Sequence, residues 1–498
     1  MSAMEREDPT KPETWKMEVA DSRDVAGRCL AGLRSNGIPA TRVELDATKL
    51  KGGYICDTMR VKIYYGPGSP GGSSAGDAGG GGVEAAPRRG AVSARPETAI
   101  LKIASPASAD HDVAMRLRLY EREWHFYETL SHRVPIRVPR WLGSVKDVET
   151  GLTTEGVLLE DLDVPGAVLC PQLDDAGVLL TIQSGARAAF GTVVSRSDAR
   201  SSPADVRTGR TSPSRGRMHT RVNRRHIAKH HASFWNAPEL ASGALGVKPH
   251  NGPWYQPGWG DDLSAYWPKF VEKWSKPDAR RSLELPPEAF AAGEAIINKF
   301  AWVQDELSKK PHTFNHGDVK PPNMFMMPNS VPAFIDWQYT AVGKGCQDII
   351  FFLIEGYTID ECRRLEPIAL KHYHAALTTY GVTDYSFDDL KRDWQLAAMH
   401  FPFYVAMWFG TTPDETLVDP DFPRRFVPRA FDCILRNGAH RLLEETKLAR
   451  VASDLDPRSL SNDELVAELT DAKLKLKLVS KERDALKAKL DAVKAALA

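Results

Sequence analysis

In HGDVKPPNMFMMPNSVPAFIDWQ, residues 316 to 338, an acid, an amide and a second acid flank a stretch that turns back on itself. Pro328-Asn329-Ser330 is turn chemistry, and the apolar residues on either side, Met324 to Met327 and Val331 to Ile335, read as a hairpin. A hairpin brings its ends together, so Asn323, just before the first strand, and Asp336, just after the second, are expected side by side. An amide oxygen and a carboxylate are hard donors that suit Mg²⁺, which takes few protein ligands and leaves the rest of its shell to water and phosphate oxygens. Asp318 lies upstream, on the loop that feeds the hairpin. A carboxylate there could take the proton of a substrate hydroxyl while the metal holds a nucleotide as phosphoryl donor. The plainer alternative makes His316 and Asp318 loop hydrogen-bonders and Asp336 a turn residue. Lys320 reads either as a helper near a transferred phosphoryl group or as a surface lysine.

The elements that must position these residues follow from apolar spacing. Residues 18 to 36 read as a helix ending near Asn36-Gly37, and VEL (43 to 45) and TMRVKIYY (58 to 65) as strands. The Gly-, Ser-, Ala- and Pro-rich segment around 66 to 97 reads as a flexible insert, because TAILKIA (98 to 104) resumes a strand pattern at once. VAMRLRLYEREWHFYETL (113 to 130) has helical spacing, and GVLLEDL (156 to 162) is a strand ending in acids. An Arg- and Ser-rich stretch, about 176 to 225, has the composition of a disordered linker and receives no chemistry. From RRHIAKHHASFW onward the pattern is mostly helical, with IIFFLI (349 to 354) as a buried element. The expected fold is therefore α+β, a small β-rich N-lobe over 18–164 followed by a larger helical C-lobe over 165–450.

Residues 456–498 read as a separate unit. Leu465, Leu469, Ala472, Leu476, Val479, Arg483, Leu486, Leu490, Val493 and Leu497 alternate at four and three residues, the seam of a coiled coil. Pairing of two such helices would make a homodimer; the alternative is a long helix docked on its own domain.

Composition narrows the partners. Lys+Arg and Asp+Glu both number 65, so no global field draws the chain to nucleic acid or an anionic membrane. No apolar run approaches the roughly 18 to 20 residues of a membrane span, and the charged start lacks a secretory apolar core. Six scattered cysteines without a CxxC pair fit reduced, mostly core-filling thiols, and with them a cytoplasmic setting. His226 and His230 share a helix spacing that could ligate a metal, but no third ligand accompanies them.

H-G-D-x-x-x-x-N followed by I-D-W resembles the catalytic and metal-binding segments of the aminoglycoside phosphotransferase and choline kinase group within the protein-kinase-like superfamily. HYHAALTTYGVTDYSFDDL (372 to 390) is similar to the carboxy-terminal region of its ecdysteroid-kinase-like, or CHK-like, branch. The resemblance spans roughly 20 to 445 and implies a two-lobed kinase-like fold that uses ATP and Mg²⁺. It implies that Lys102 holds the nucleotide phosphates, positioned by Glu123 rather than Glu121. It makes VLLEDL the linker between lobes, whose backbone near Glu160 to Leu162 would meet the adenine edge. Lys51-Gly52-Gly53-Tyr54 stands where a phosphate-covering loop belongs, although a Gly-Gly pair is also an ordinary turn and no GxGxxG is present. Asp318, Asn323 and Asp336 then form the catalytic set, with Asn323 and Asp336 on the metal.

The implied reaction transfers the γ-phosphoryl group of ATP to a hydroxyl of a small molecule: an amino alcohol, an aminoglycoside-like compound or a steroid-like one. Aromatics in NGPWYQPGWGDDLSAYWPKF (251 to 270) and HFPFYVAMWFG (400 to 410) could face such an acceptor or fill the core. Asp261 and Asp262 could meet a cationic substrate or cap a helix beginning near Leu263. A protein-kinase reading lacks the H-R-D and A-P-E segments. From another class comes a catalytically silent kinase-like scaffold acting through its coiled coil, a reading that the intact Lys102, Glu123, Asp318, Asn323 and Asp336 set disfavours.

Overall fold

The computed structural model describes residues 25–444, apart from 51–54, 67–94, 107, 109–110, 148–149, 171–226, 253–258, 275–282, 284, 329–330 and 411–418. Gly52, Gly53, His226, the Arg- and Ser-rich stretch and the coiled-coil seam lie outside the described residues, as does most of the Gly-rich insert. The chain divides into a compact unit over Met1–Ala439 and a second over His440–Ala498. The first contains everything that follows.

An antiparallel sheet opens the fold. Its strands are β1 (Ala40–Lys49), β2 (Cys56–Tyr65), β3 (Thr98–Ala104), β4 (Trp141–Lys146) and β5 (Thr154–Glu160), in the order β1-β2-β3-β5-β4. β2 and β3 are direct neighbours, so the Gly-rich insert joins two paired strands. Strand alternation divides the side chains between two faces. Met59, Val61, Ala99, Leu101 and Leu158 point to one face and pack with Val25, Cys29 and Leu33 of the helix Val25–Ser35 in one buried cluster. Each such large aliphatic side chain stabilises the fold by about 1.5–3 kcal/mol on full burial. The intervening residues Thr58, Arg60, Ile100, Lys102 and Leu159 line a cavity on the other face. Lys102 pairs across with Thr58 and Val157, in the middle of the sheet.

The first helix ends at Ser35, and Gly37 follows at φ 77°, a left-handed stop that suits glycine. The stretch 113 to 130 departs from the single helix its spacing suggests. It forms two helices, His111–Arg116 and Leu119–His125, because Arg118 adopts a left-handed backbone at φ 52°, and the second widens into a π turn over Phe126–Leu130.

Beyond β6 (Val168–Leu169) the described chain is mostly helical. The long helix Ile359–Thr379 starts at a capping box in which Thr358 and Glu361 satisfy each other's backbone amides. The helix Phe387–Ala398 repeats the device with Ser386 and Asp389. Short strands interrupt the helices: β7 (Thr313–Asn315) pairs with β10 (Ala341–Gly343), and β8 (Met324–Met326) pairs with β9 (Pro332–Phe334) and β6. The architecture is thus an antiparallel sheet followed by a largely helical region. All six cysteines are free and buried, as core fillers should be. Among the described residues no helix is long and apolar enough to cross a membrane.

Candidate active site

β8 and β9 form the hairpin, and its ends meet as their positions in the chain require. Ile335 N donates to the Asn323 carbonyl at 3.0 Å, which sets the residue before the first strand against the residue before Asp336. Asp336 itself sits at φ 68°, a conformation that costs a non-glycine residue about 1–3 kcal/mol and persists only where its surroundings enforce it. Two contacts bear on it. Its carboxylate accepts from Lys102 Nζ at 2.6 Å, and the adjoining Trp337 ring lies flat on Phe126, 3.9 Å between centroids at 4°.

Lys102 bridges two acids. Its Nζ is 2.6 Å from Glu123 Oε1 and 2.6 Å from Asp336 Oδ1, so strand, helix and hairpin converge on one ammonium. Burial alone would strip its charge, but Asp336 and Glu123 outweigh that and hold it protonated well above the ordinary lysine value. The same burial pushes Glu123 up to about 7, with Lys102 opposing. Asp336 is also penalised by burial, yet Lys102 dominates and keeps it below the usual carboxylate range. Glu123 Oε2 is buried without a partner. Glu121 pairs instead with Arg118 at 3.4 Å on the surface.

Asp318 lies on the loop after β7, 2 % exposed. Asn323 Nδ2 donates both to its backbone carbonyl, at 3.0 Å, and to its Oδ2, at 2.9 Å. Lys320 Nζ stands 3.2 Å from Oδ1. Burial pushes the Asp318 carboxyl up to about 6, with Lys320 opposing. Since the Asn323 amide nitrogen is spent on Asp318, its amide oxygen is the group left to offer a cation. The second Asp336 oxygen completes a pair of hard donors, and that donor set fits Mg²⁺ with the rest of its shell left to water and phosphate. Among the described residues no group of three or more His, Cys, Asp or Glu could hold a metal.

What holds the loop was not read from the sequence. Asp348, fully buried in the helix Cys346–Gly356, accepts from the amides of His316 and Gly317, each at 2.8 Å, and from His231 Nε2 at 3.0 Å. Tyr373 hydroxyl closes on His231 Nδ1 at 2.8 Å, which fixes the imidazole tautomer. Burial would raise Asp348, but the His231 hydrogen bond leads a set of contacts that hold it below the usual carboxylate range. Gly317 has φ 84°, and a Cβ there would strike the Tyr339 carbonyl, so the loop needs glycine at this point. His316 donates through Nε2 to the Ile335 carbonyl at 2.9 Å and accepts the Asp318 amide at Nδ1 at 3.2 Å. It is a neutral structural link, its pKa lowered chiefly by burial. His230 packs between Phe234, Phe314 and Trp337 and has a core role.

A cavity of about 820 Å³ unites these groups. At one end lie Ile100, Lys102, Leu159 and Glu160 to Leu162. The Glu160 carboxylate is bound to Arg137 at 2.9 Å. Asp318, Asn323 and Asp336 occupy the middle. The other end is aromatic: a π turn over Val405–Phe409 brings Tyr404, Trp408 and Phe409 to the wall, and the helix Phe422–Arg436 adds Phe422 and Phe426. Phe401 and Phe403, from the same run, are core. So are Trp267 and Phe270 of the other aromatic segment, whose helix begins at Trp259 and takes Asp261 and Asp262 into its first turn.

Glu355, also missed in the sequence, faces this end. Burial pushes its carboxyl up to about 7, opposed first by Lys320. Asp419 is paired with Arg425, and Arg429 Nη1 donates to the carbonyls of Ile354 and Glu355, each at 3.1 Å.

A lysine held by two acids, a loop carboxylate beside an amide, and a group of aromatic rings thus border one cavity. Residues 247–385 match the model of the phosphotransferase enzyme family, APH. None of the curated proteins matches the chain. Among solved structures, it is similar to a choline kinase from Cryptosporidium parvum, at 10% identity over 81% of this chain and 91% of that one, TM-score 0.42. An ethanolamine kinase from Plasmodium vivax shares 13% identity over 80% and 81%, TM-score 0.38. An aminoglycoside phosphotransferase from Streptomyces rimosus, solved with ADP and streptomycin, shares 13% over 77% and 98%, TM-score 0.34.

Proposed function

We propose that the protein is a small-molecule kinase that transfers the γ-phosphoryl group of ATP to a hydroxyl. The observation that carries this reading is the convergence of Lys102, held from behind by buried Glu123, with Asp336, Asp318 and Asn323 on one cavity. Lys102, fixed by Glu123, steadies the nucleotide phosphates, while the linker near Glu160 and Leu162 meets the adenine edge. Gly52 and Gly53 belong to the loop expected to cover the phosphates. Asn323 and Asp336 would hold Mg²⁺, which when bound neutralises phosphate charge. Asp318 orients the acceptor hydroxyl and takes its proton.

Of the three acceptor types, the aromatic end favours a largely apolar, steroid-like alcohol. The described acids of that end, Glu355 and Asp419, are accompanied by Arg429 and Arg425, which leaves no surplus negative charge there for a polycationic aminoglycoside. The direct test is a screen of hydroxylated compounds for acceptor-dependent ADP release. An acceptor found among apolar ring alcohols supports the reading; release that is indifferent to every acceptor and unchanged in Asp318→Asn opposes it.

Nucleotide binding separates an enzyme from a silent scaffold. ATP with Mg²⁺ at about 100 times its Kd should add about 2.7 kcal/mol of stability, read as a rise in Tm, and ATP with EDTA should add less. No response to either favours the scaffold.

A pH dependence follows as well. Asp318 must be ionised to accept a proton, and burial has moved its free-enzyme value upward to about 6. kcat/KM should therefore be level above this value and fall tenfold per unit below it. An acid limb at the ordinary aspartate value, near pH 4, would contradict the assignment.

A further inference from the structure

We propose that Arg429 determines acceptor specificity and that the acceptor is a hydroxy acid, with its hydroxyl at Asp318, an apolar body along the aromatic wall and its carboxylate on the Arg429 guanidinium. The inference rests on the phosphotransferase reading and narrows its acceptor.

In the helix Phe422–Arg436, the spacing of Phe422, Arg425, Phe426 and Arg429 puts all four on one face, and all four line the cavity. Arg429 is half-buried there. Its Nη1 donates to the carbonyls of Ile354 and Glu355, each at 3.1 Å, at the end of the helix Cys346–Gly356. Those bonds anchor the guanidinium without using it up. Nε and Nη2 have no partner among the described residues. Their N–H groups run parallel along one edge of the guanidinium plane, the edge that grips a carboxylate through two bonds at once.

The other cations of the cavity already have acids. Lys102 is held by Glu123 and Asp336, Arg60 by Asp161 and Asp163, Arg425 by Asp419, and Lys320 lies against Asp318. Among the described residues, Arg429 alone of these cations has no carboxylate within ion-pair distance. Glu355 gives it a backbone carbonyl, but the Glu355 carboxyl makes no ion pair with it. Burial pushes that carboxyl up to about 7, so near neutral pH it is available as an O–H donor as well as a counter-ion. Burial also disfavours the Arg429 charge. A half-buried cation without a counter-ion costs stability that an anionic ligand restores on binding.

A ligand carboxylate supplies the missing charge and accepts from both remaining N–H groups. The walls set the rest of the molecule: Tyr404, Trp408, Phe422 and Phe426 suit an apolar body between its two polar ends. In the transfer, the bond from phosphorus to the β,γ-bridging oxygen breaks, a bond from phosphorus to the acceptor hydroxyl oxygen forms, and the hydroxyl proton goes to Asp318. The carboxylate only anchors.

Acceptor-dependent ADP release would be measured on the full chain with lithocholic acid and a chain-length series of ω-hydroxyalkanoic acids. Each acid is set beside its methyl ester, which keeps the hydroxyl and the apolar body and removes the charge. The parental protein should prefer an acid over its ester by at least about tenfold in kcat/KM, the worth of a hydrogen bond to a charged group. Arg429→Met should bring that ratio close to one, and Arg429→Lys, which keeps the charge and loses the fork, should hold part of it. Arg429→Gln, whose amide can still donate to the helix carbonyls, stands in should the methionine variant not fold. If Arg429 only caps the helix, its loss lowers turnover of acid and ester alike and leaves the ratio unchanged, which overturns the proposal. Parental turnover of esters as fast as acids overturns it too, as does turnover of neutral or cationic alcohols with no acid used; both leave the phosphotransferase reading standing. Binding of ATP with Mg²⁺ but no turnover of any of these compounds also counts against the hydroxy acid and overturns the proposal. Failure of the parental protein to bind ATP with Mg²⁺ instead refutes the phosphotransferase reading on which it stands.

Discussion

Replacing Asp318 by Asn should lower kcat by about 10² to 10⁴-fold and leave the affinity for ATP nearly unchanged. The substitution keeps shape and removes only the ability to take a proton. The Asn323 amide can still donate to the new side-chain oxygen, so the loop retains one of the contacts made at 2.9 Å. Lys102, proposed to hold the nucleotide phosphates, is fixed by Glu123 and Asp336, each 2.6 Å from its Nζ, and these contacts do not depend on Asp318. The loss should therefore appear in kcat with little change in the ATP KM. Steady-state kinetics with an acceptor from the screen would show it. A variant that turns over at the parental rate would remove Asp318 from the mechanism.

The second large effect concerns stability. Asp348→Ala should destabilise the fold by about 3–5 kcal/mol, because it strands two loop amides and the His231 ring in a dry interior. Asp348→Asn should cost less, since its oxygen can still serve one of the three donors. The depressed Asp348 pKa gives the effect its sign with pH. Its contribution is present above the ordinary carboxylate range and is lost as pH falls through the folded value. Urea unfolding at pH 7 and again near pH 3 would measure both, with the gap between parental and Ala proteins narrowing in acid. A gap that does not narrow would mean the carboxylate charge is not what holds the loop.

The sequence made the hairpin and its flanking polar residues legible because both are local. Turn residues and apolar runs are adjacent in the chain, and the ends of a hairpin have nowhere else to go. Lys102 was legible for a related reason: in TAILKIA the alternation sends Ala99 and Leu101 to the core and leaves Lys102 on the opposite face. Its pairing with Glu123 rather than Glu121 followed from resemblance to a family, not from spacing.

Asp348 and Glu355 were not legible. They stand at the two ends of an apolar helix that reads simply as buried, and their partners lie elsewhere in the chain. An acid inside such a helix was the available signal, since a buried carboxylate requires donors. The break at Arg118 was invisible for the opposite reason, as a left-handed arginine contradicts its own local preference. In the 400 to 410 run, the wide turn over Val405–Phe409 sends Trp408 and Phe409 to the cavity while Phe401 and Phe403 stay in the core. Composition could not make that division.

A calorimetric titration of ATP into the full chain, in Mg²⁺ and then in EDTA, with the parental protein and Asp336→Ala, asks most directly whether this cleft handles a metal-bound nucleotide. The parental protein should bind far more tightly with the cation present, and the variant should lose that increment. Equal heats with and without the cation, or no heat at all from the parental protein, would contradict the account.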